Sequence, residues 1–119
     1  MKNIKIILSA IAIMIGTIAG AQDIKPLYEK DGDLIKGTYY YEDGSIKQEG
    51  TYKNGKLHGQ WVSYGQDGKK NALAQYEEGN KTGKWFFWND DLLTEVDYNK
   101  NRIAEVRKYK NAEALVQNR

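Results

Sequence analysis

The stretch Gly50-Thr51-Tyr52-Lys53-Asn54-Gly55-Lys56-Leu57-His58-Gly59-Gln60-Trp61-Val62-Ser63-Tyr64-Gly65-Gln66-Asp67-Gly68 decides the fold. Asn54-Gly55 and Asp67-Gly68 are dipeptides that supply the positive φ angles of a tight hairpin turn. The residues between them are rich in aromatic and β-branched side chains and too few for a stable helix. Twenty-four residues on, the pattern returns: Tyr76, Gly79, Gly83, Trp85 and Trp88 repeat Tyr52, Gly55, Gly59, Trp61 and Tyr64. The unit is therefore a β-hairpin, and the chain is built from copies of it.

Working outward, Tyr28, Tyr40, Tyr52, Tyr64, Tyr76 and Trp88 fall at intervals of twelve. Asp31-Gly32, Asp43-Gly44 and Asp67-Gly68 each follow one of those rings by three residues, and Asp91 follows Trp88 likewise. Glu78-Gly79, Asn89-Asp90-Asp91 and Asn99-Lys100-Asn101 are further polar breaks. One strand per twelve residues, reversing each time, predicts an all-β antiparallel meander of about six or seven strands in a single curved sheet. Aliphatic side chains are scarce, so rings supply most of the burial and a thick sandwich is not expected. Pro26, the only proline, precedes the repeats, as uninterrupted strand ladders require.

Six glycines mark the repeat: Gly44, Gly55, Gly59, Gly68, Gly79 and Gly83. With two-residue turns at 54–55, 67–68, 78–79 and 90–91, Gly59 falls opposite Gly50 and Tyr76. Gly83 then falls opposite Ala74 and Tyr98, and Trp61 also faces Ala74. Such a register would lay rings over small cross-strand neighbours.

The ends differ in character. Residues 1–21 have the form of a secretory signal peptide: Lys2 and Lys5, an apolar run over 6–15, and Ala19-Gly20-Ala21 as an A-x-A cleavage site. Cleavage after Ala21 leaves Gln22 first and directs the mature chain to the periplasm or the medium; retention as a membrane helix is the alternative. Residues 22–36 read as a lead-in, 37–110 as the repeat domain and 111–119 as a polar tail.

Charge and cysteine content remove several function classes. Lys and Arg total 18 against 16 Asp and Glu, but the excess is Lys2 and Lys5, so the mature chain is neutral. A phosphate-neutralising nucleic-acid binder needs a basic surplus in its folded part. The absence of cysteine removes disulfides, cysteine-ligated metals, a thiol nucleophile and the acceptor for a lipid anchor. His58, the only histidine, has no nucleophile motif beside it and no His or Cys partner for a metal. The acidic pairs Glu42-Asp43, Glu77-Glu78 and Asp90-Asp91 sit at or beside turns, where they keep hairpin tips soluble. No catalytic residue, metal or cofactor is expected.

The spacing Tyr-x-x-Gly-x-x-x-Gly-x-Trp-x-x-Tyr over 52–64, repeated with Trp88 in the last place over 76–88, resembles the bacterial variant of the MORN repeat (membrane occupation and recognition nexus). The resemblance spans roughly 38–98. It implies β-hairpin units stacked into an elongated sheet, and a role in protein–protein contact. Some short proteins of this shape carry a nucleotidyltransferase name. That activity is not expected here, with one histidine and no βαβ unit.

The rings are the remaining candidates for a surface: Trp61, Trp85, Trp88, Tyr64, Tyr52 and Tyr76. Trp85 and Trp88 are three apart, so an extended strand points them to opposite faces. The expected role is a protein-interaction scaffold in the cell envelope. A glycan- or wall-binding module that stacks sugars on the same rings is the alternative, and an open meander also leaves edge strands available for self-association.

Overall fold

The computed structural model describes residues 24–110, so the signal segment, its cleavage site and the polar tail lie outside the described residues. Among the described residues nine strands form one antiparallel sheet: β1 Leu27–Asp31, β2 Leu34–Tyr40, β3 Ile46–Lys53, β4 Lys56–Tyr64, β5 Lys70–Glu77, β6 Asn80–Lys81, β7 Gly83–Asn89, β8 Leu92–Asn99 and β9 Arg102–Lys110. Spatial order follows chain order, with β6 pairing β5 beside the main path. The architecture is the expected open meander. Its strand count exceeds the expected one because the sheet begins inside the lead-in, where Gly32 at φ 63° turns β1 into β2.

Turn chemistry explains each reversal. Asn54 and Gly55 (φ 50° and 79°), Glu78 and Gly79 (47° and 90°), and Lys100 and Asn101 (47° and 70°) form two-residue turns with both central residues left-handed. That twist matches the twist of paired strands. At the other end 90–91 is the expected two-residue turn, with Asn89 paired to Leu92, while the two earlier loops use a different device. At 42–44 and 66–68 the loop has three residues, closed by Tyr41 N donating to Ser45 O (2.8 Å) and Gly65 N to Lys69 O (2.8 Å). Gly44 and Gly68 occupy the left-handed position, and the Asp43 and Asp67 carboxylates accept from the Ser45 and Lys69 amides at 2.9 Å. A two-residue turn at 67–68 is thereby corrected to three, because the Asp side chain closes the loop one residue earlier.

The register is corrected at two further places, for one reason. Gly59 and Gly83, at φ 83° and 66°, sit at breaks in the strand ladders. At the first, the pairing of β3 with β4 shifts between Glu49 and Thr51, so Gly50 is not paired with Gly59. At the second, β6 parts from β7 and the ladder resumes two residues out of phase, with Leu73 opposite Phe86. Gly83 therefore leaves Ala74, and the next step of that ladder brings Trp85 beside it. The pairs Gly59–Tyr76, Trp61–Ala74 and Gly83–Tyr98 stand as expected. Each break puts two extra residues on the later strand and sharpens the local twist.

The core is made by rings lying on the sheet. Trp61, Ala74, Trp85 and Val96 are buried on one face, ringed by Tyr39, Tyr52, Leu57, Tyr76 and Tyr98. A smaller cluster on the other face joins Phe86 and Leu93 to Leu73, Trp88 and Tyr109. Gly50 is required by this packing, since a Cβ there would overlap the Trp61 indole.

Candidate functional site

Each tryptophan of the repeat is fixed by the bulge that precedes it. Trp61 Nε1 donates to Thr51 O at 2.9 Å, and Trp85 Nε1 donates to Gln75 O at 3.0 Å, the same contact twenty-four residues on. The indoles are buried to 3% and 7% exposure. Tyr52 meets Trp61 edge-on at 5.0 Å, while Tyr76 and Tyr98 flank Trp85 at 5.1 and 5.0 Å. The Lys81 ammonium covers what is left, 5.1 Å from the Trp85 ring and 5.2 Å from that of Tyr98. Rings enclosed in this way leave little surface on which a ligand could stack, and both indoles pack within the sheet's own core. Tyr52 and Tyr76 belong to the same enclosure and are half-buried.

Trp88 points to the opposite face from Trp85, as the spacing requires, and stacks on Phe86 at 6.1 Å. Tyr64 lies on that second face, away from Trp88, beside a shallow groove of about 320 Å³ whose lining includes Lys36, Glu49, Gln60 and Lys70. Its hydroxyl donates to Glu49 Oε2 at 2.8 Å, and burial together with that carboxylate pushes the phenol up to about 12. The six rings named from the sequence thus divide between two faces and never form one platform.

The remaining polar groups serve the frame. His58 Nδ1 accepts from the Glu78 amide at 3.1 Å, tying one turn to the next repeat. Asn101 does the same one repeat later, accepting from Lys81 N at 2.8 Å and donating from its own amide to Lys81 O at 2.9 Å. Tyr28, Tyr39 and Tyr52 form a hydroxyl chain of 3.3 and 2.6 Å, and burial holds the Tyr39 phenol far above its ordinary range. Glu95 is buried on the second face and accepts from Lys84 (3.0 Å) and Arg107 (2.9 Å). Lys84, ahead of Arg107, holds that carboxyl below its usual value against the opposing effect of burial. Among the described residues no three His, Asp or Glu side chains converge as a metal site would need.

One surface was not singled out in the sequence. Phe87, Val106 and Ile103 are 38%, 48% and 60% exposed. The pairings Trp85–Val96–Val106, Phe87–Thr94–Lys108 and Gly83–Tyr98–Ile103 place them on the Trp85 face, where the sheet ends. Ile103 and Val106 belong to β9, which lies at the edge of the sheet among the described residues. No protein-family model matches the chain, and no curated protein matches it.

Proposed function

We propose that this chain works without chemistry, as an exported scaffold of MORN-like hairpin repeats that holds a partner protein in the cell envelope. The observation that carries the reading is exposed apolar surface on the Trp85 face toward the outer edge: Ile103 and Val106 on β9, with Phe87 two strands in on β7. The rings further inside the sheet satisfy one another; these three side chains leave apolar surface in water, the usual mark of an interaction site when it is contiguous. The test is crosslinking in intact cells with a tagged chain, followed by mass spectrometry. A parallel strain carries Phe87→Ser and Val106→Ser, checked for folding by circular dichroism. A protein partner lost in the folded variant supports the scaffold; recovery of no specific protein overturns it.

A second reading rests on the groove beside Tyr64. Lys36, Glu49, Gln60 and Lys70 offer polar groups around a ring, a composition suited to a saccharide. Calorimetric titration with soluble wall glycan separates the two: binding that Tyr64→Ala and Gln60→Ala abolish favours the glycan reading.

A further inference from the structure

We propose that β9 is a docking edge for an extended acidic segment of a partner protein, which joins the sheet as a further strand. The inference rests on the scaffold reading and specifies its partner. Three observations on one strand support it.

β9 pairs with β8 along its length, and among the described residues nothing pairs with its other side. Nine extended residues offer roughly 30 Å of backbone donors and acceptors at about 3.3 Å per residue. Such an edge is a template for another strand.

Its charge selects the newcomer. Arg102, Arg107, Lys108 and Lys110 stand against Glu105 alone. Arg107 is already engaged, by Glu95 at 2.9 Å and Glu105 at 2.6 Å. Arg102, Lys108 and Lys110 make no ion pair among the described residues.

The order of side chains along the face gives a pattern. Val106, Lys108 and Lys110 pair with Val96, Thr94 and Leu92 and so share the Trp85 face. A strand added outside β9 meets an apolar position beside Val106 and two cations at the next two positions on that face. Its complement is one apolar residue and two carboxylates at alternate places, with Ile103 extending the apolar end.

A second copy of this chain does not meet that description. β9 against β9 sets one cationic strand against another. β1, the opposite edge, has only five residues; its pairing with β2 puts Tyr28 and Lys30 on the Trp face and the carboxylates of Glu29 and Asp31 on the other. The cations on β9 therefore guard against self-pairing and, by the same charge, admit an acidic strand.

The test uses the full chain and a fluorescein-labelled peptide containing Glu-Thr-Glu-Thr-Val, the order an antiparallel strand presents to β9, with a control in which lysine replaces both glutamates. Fluorescence anisotropy at low salt should show the acidic peptide binding roughly tenfold more tightly, as expected when two exposed charge pairs turn from repulsion to attraction. The preference should invert in the double variant Lys108→Glu, Lys110→Glu. Hydrogen exchange on the unaltered chain should show new protection confined to β9 amides. Equal binding of the two peptides, an unchanged preference in the double variant, or protection located elsewhere overturns the proposal. If intact-cell crosslinking recovers the same partner with the double variant, this inference falls and the scaffold reading stands. If the unaltered chain recovers no protein, the scaffold reading itself falls.

Discussion

Gly50 and Ala74 occupy the same place in successive repeats, and the difference of one methyl group between them yields a prediction with a change of sign. A Cβ at Gly50 would overlap the body of the Trp61 indole, not the end of a flexible chain. Trp61 has little freedom to retreat, being buried and tied by Nε1 to Thr51 O. Overpacking of this kind costs about 1–3 kcal/mol, and displacing the indole forfeits a hydrogen bond worth about 1 kcal/mol more. We expect Gly50→Ala to destabilise by about 3 kcal/mol, lowering Tm by roughly 12–24 °C for a domain of this size. Ala74→Gly should cost about 1.5 kcal/mol, from one lost methyl and added chain entropy. The decisive background is Trp61→Leu. Gly50 does not have a positive φ, so alanine fits its backbone. Without the indole, Gly50→Ala should become neutral or stabilise by up to about 1 kcal/mol, through the entropy of the unfolded chain. Thermal and urea melts followed by circular dichroism measure all four chains as a double-mutant cycle. An alanine at 50 that is harmless beside Trp61, or equally harmful without it, would refute the packing described for this face.

Alanine at Gly59 or Gly83 should destabilise by about 1–2 kcal/mol each, because a left-handed backbone opposes a Cβ whatever space surrounds it; urea midpoints measure both. Trp85→Phe should cost about 1–2 kcal/mol through the lost indole donor and the carbonyl it leaves, while Trp88→Phe, half-buried on the other face, should cost less in the same melts. Glu95 has a folded pKa below its ordinary 4.5, so the stability it contributes is complete above about pH 4.5 and is lost as the pH falls through the folded value. Glu95→Gln should therefore be less stable at neutral pH and show a shallower decline on acidification, read from melts between neutral and acid pH. Glu49→Gln should bring the Tyr64 phenol down from about 12, followed by difference absorbance of the phenolate.

The meander was legible because hairpin turns advertise themselves locally: Asn54-Gly55 and Glu78-Gly79 need positive φ, and few residues other than glycine accept it. The twofold face of Trp85 and Trp88 was legible because strand geometry has a period of two. The bulges were not. Gly59 and Gly83 look like ordinary strand glycines, and only the shifted pairing reveals that each sits at a two-residue insertion. Turn length escaped for a similar reason: Asp67-Gly68 closes a three-residue loop through the Asp67 carboxylate, while Asn54-Gly55 closes a two-residue one. The burial of Trp61 and Trp85 was not legible, because size and aromaticity suit burial and binding equally. What separates Trp61 from Phe87 is its neighbour, a glycine that makes room, and that is a property of register.

A one-layer sheet ordinarily leaves one face wet, yet here tryptophans are buried without a second layer. The cover comes from the tyrosine of the same repeat and one from a neighbouring strand pair: Tyr52 and Tyr39 close over Trp61, and Tyr76 and Tyr98 over Trp85. Burial that depends on neighbouring strands weakens toward an edge, and the two edges of the described sheet differ. At β1 the hydroxyl chain Tyr28–Tyr39–Tyr52 turns the ring stack polar before the sheet ends. At β9 the rows through Trp85 and Tyr98 end in Val106 and Ile103, apolar and exposed, beside Lys108 and Lys110, which make no ion pair among the described residues. Stability alone would favour finishing both edges in the same way. The docking edge proposed at β9 requires that charge changes at Lys30 leave partner binding intact while those at Lys108 and Lys110 abolish it.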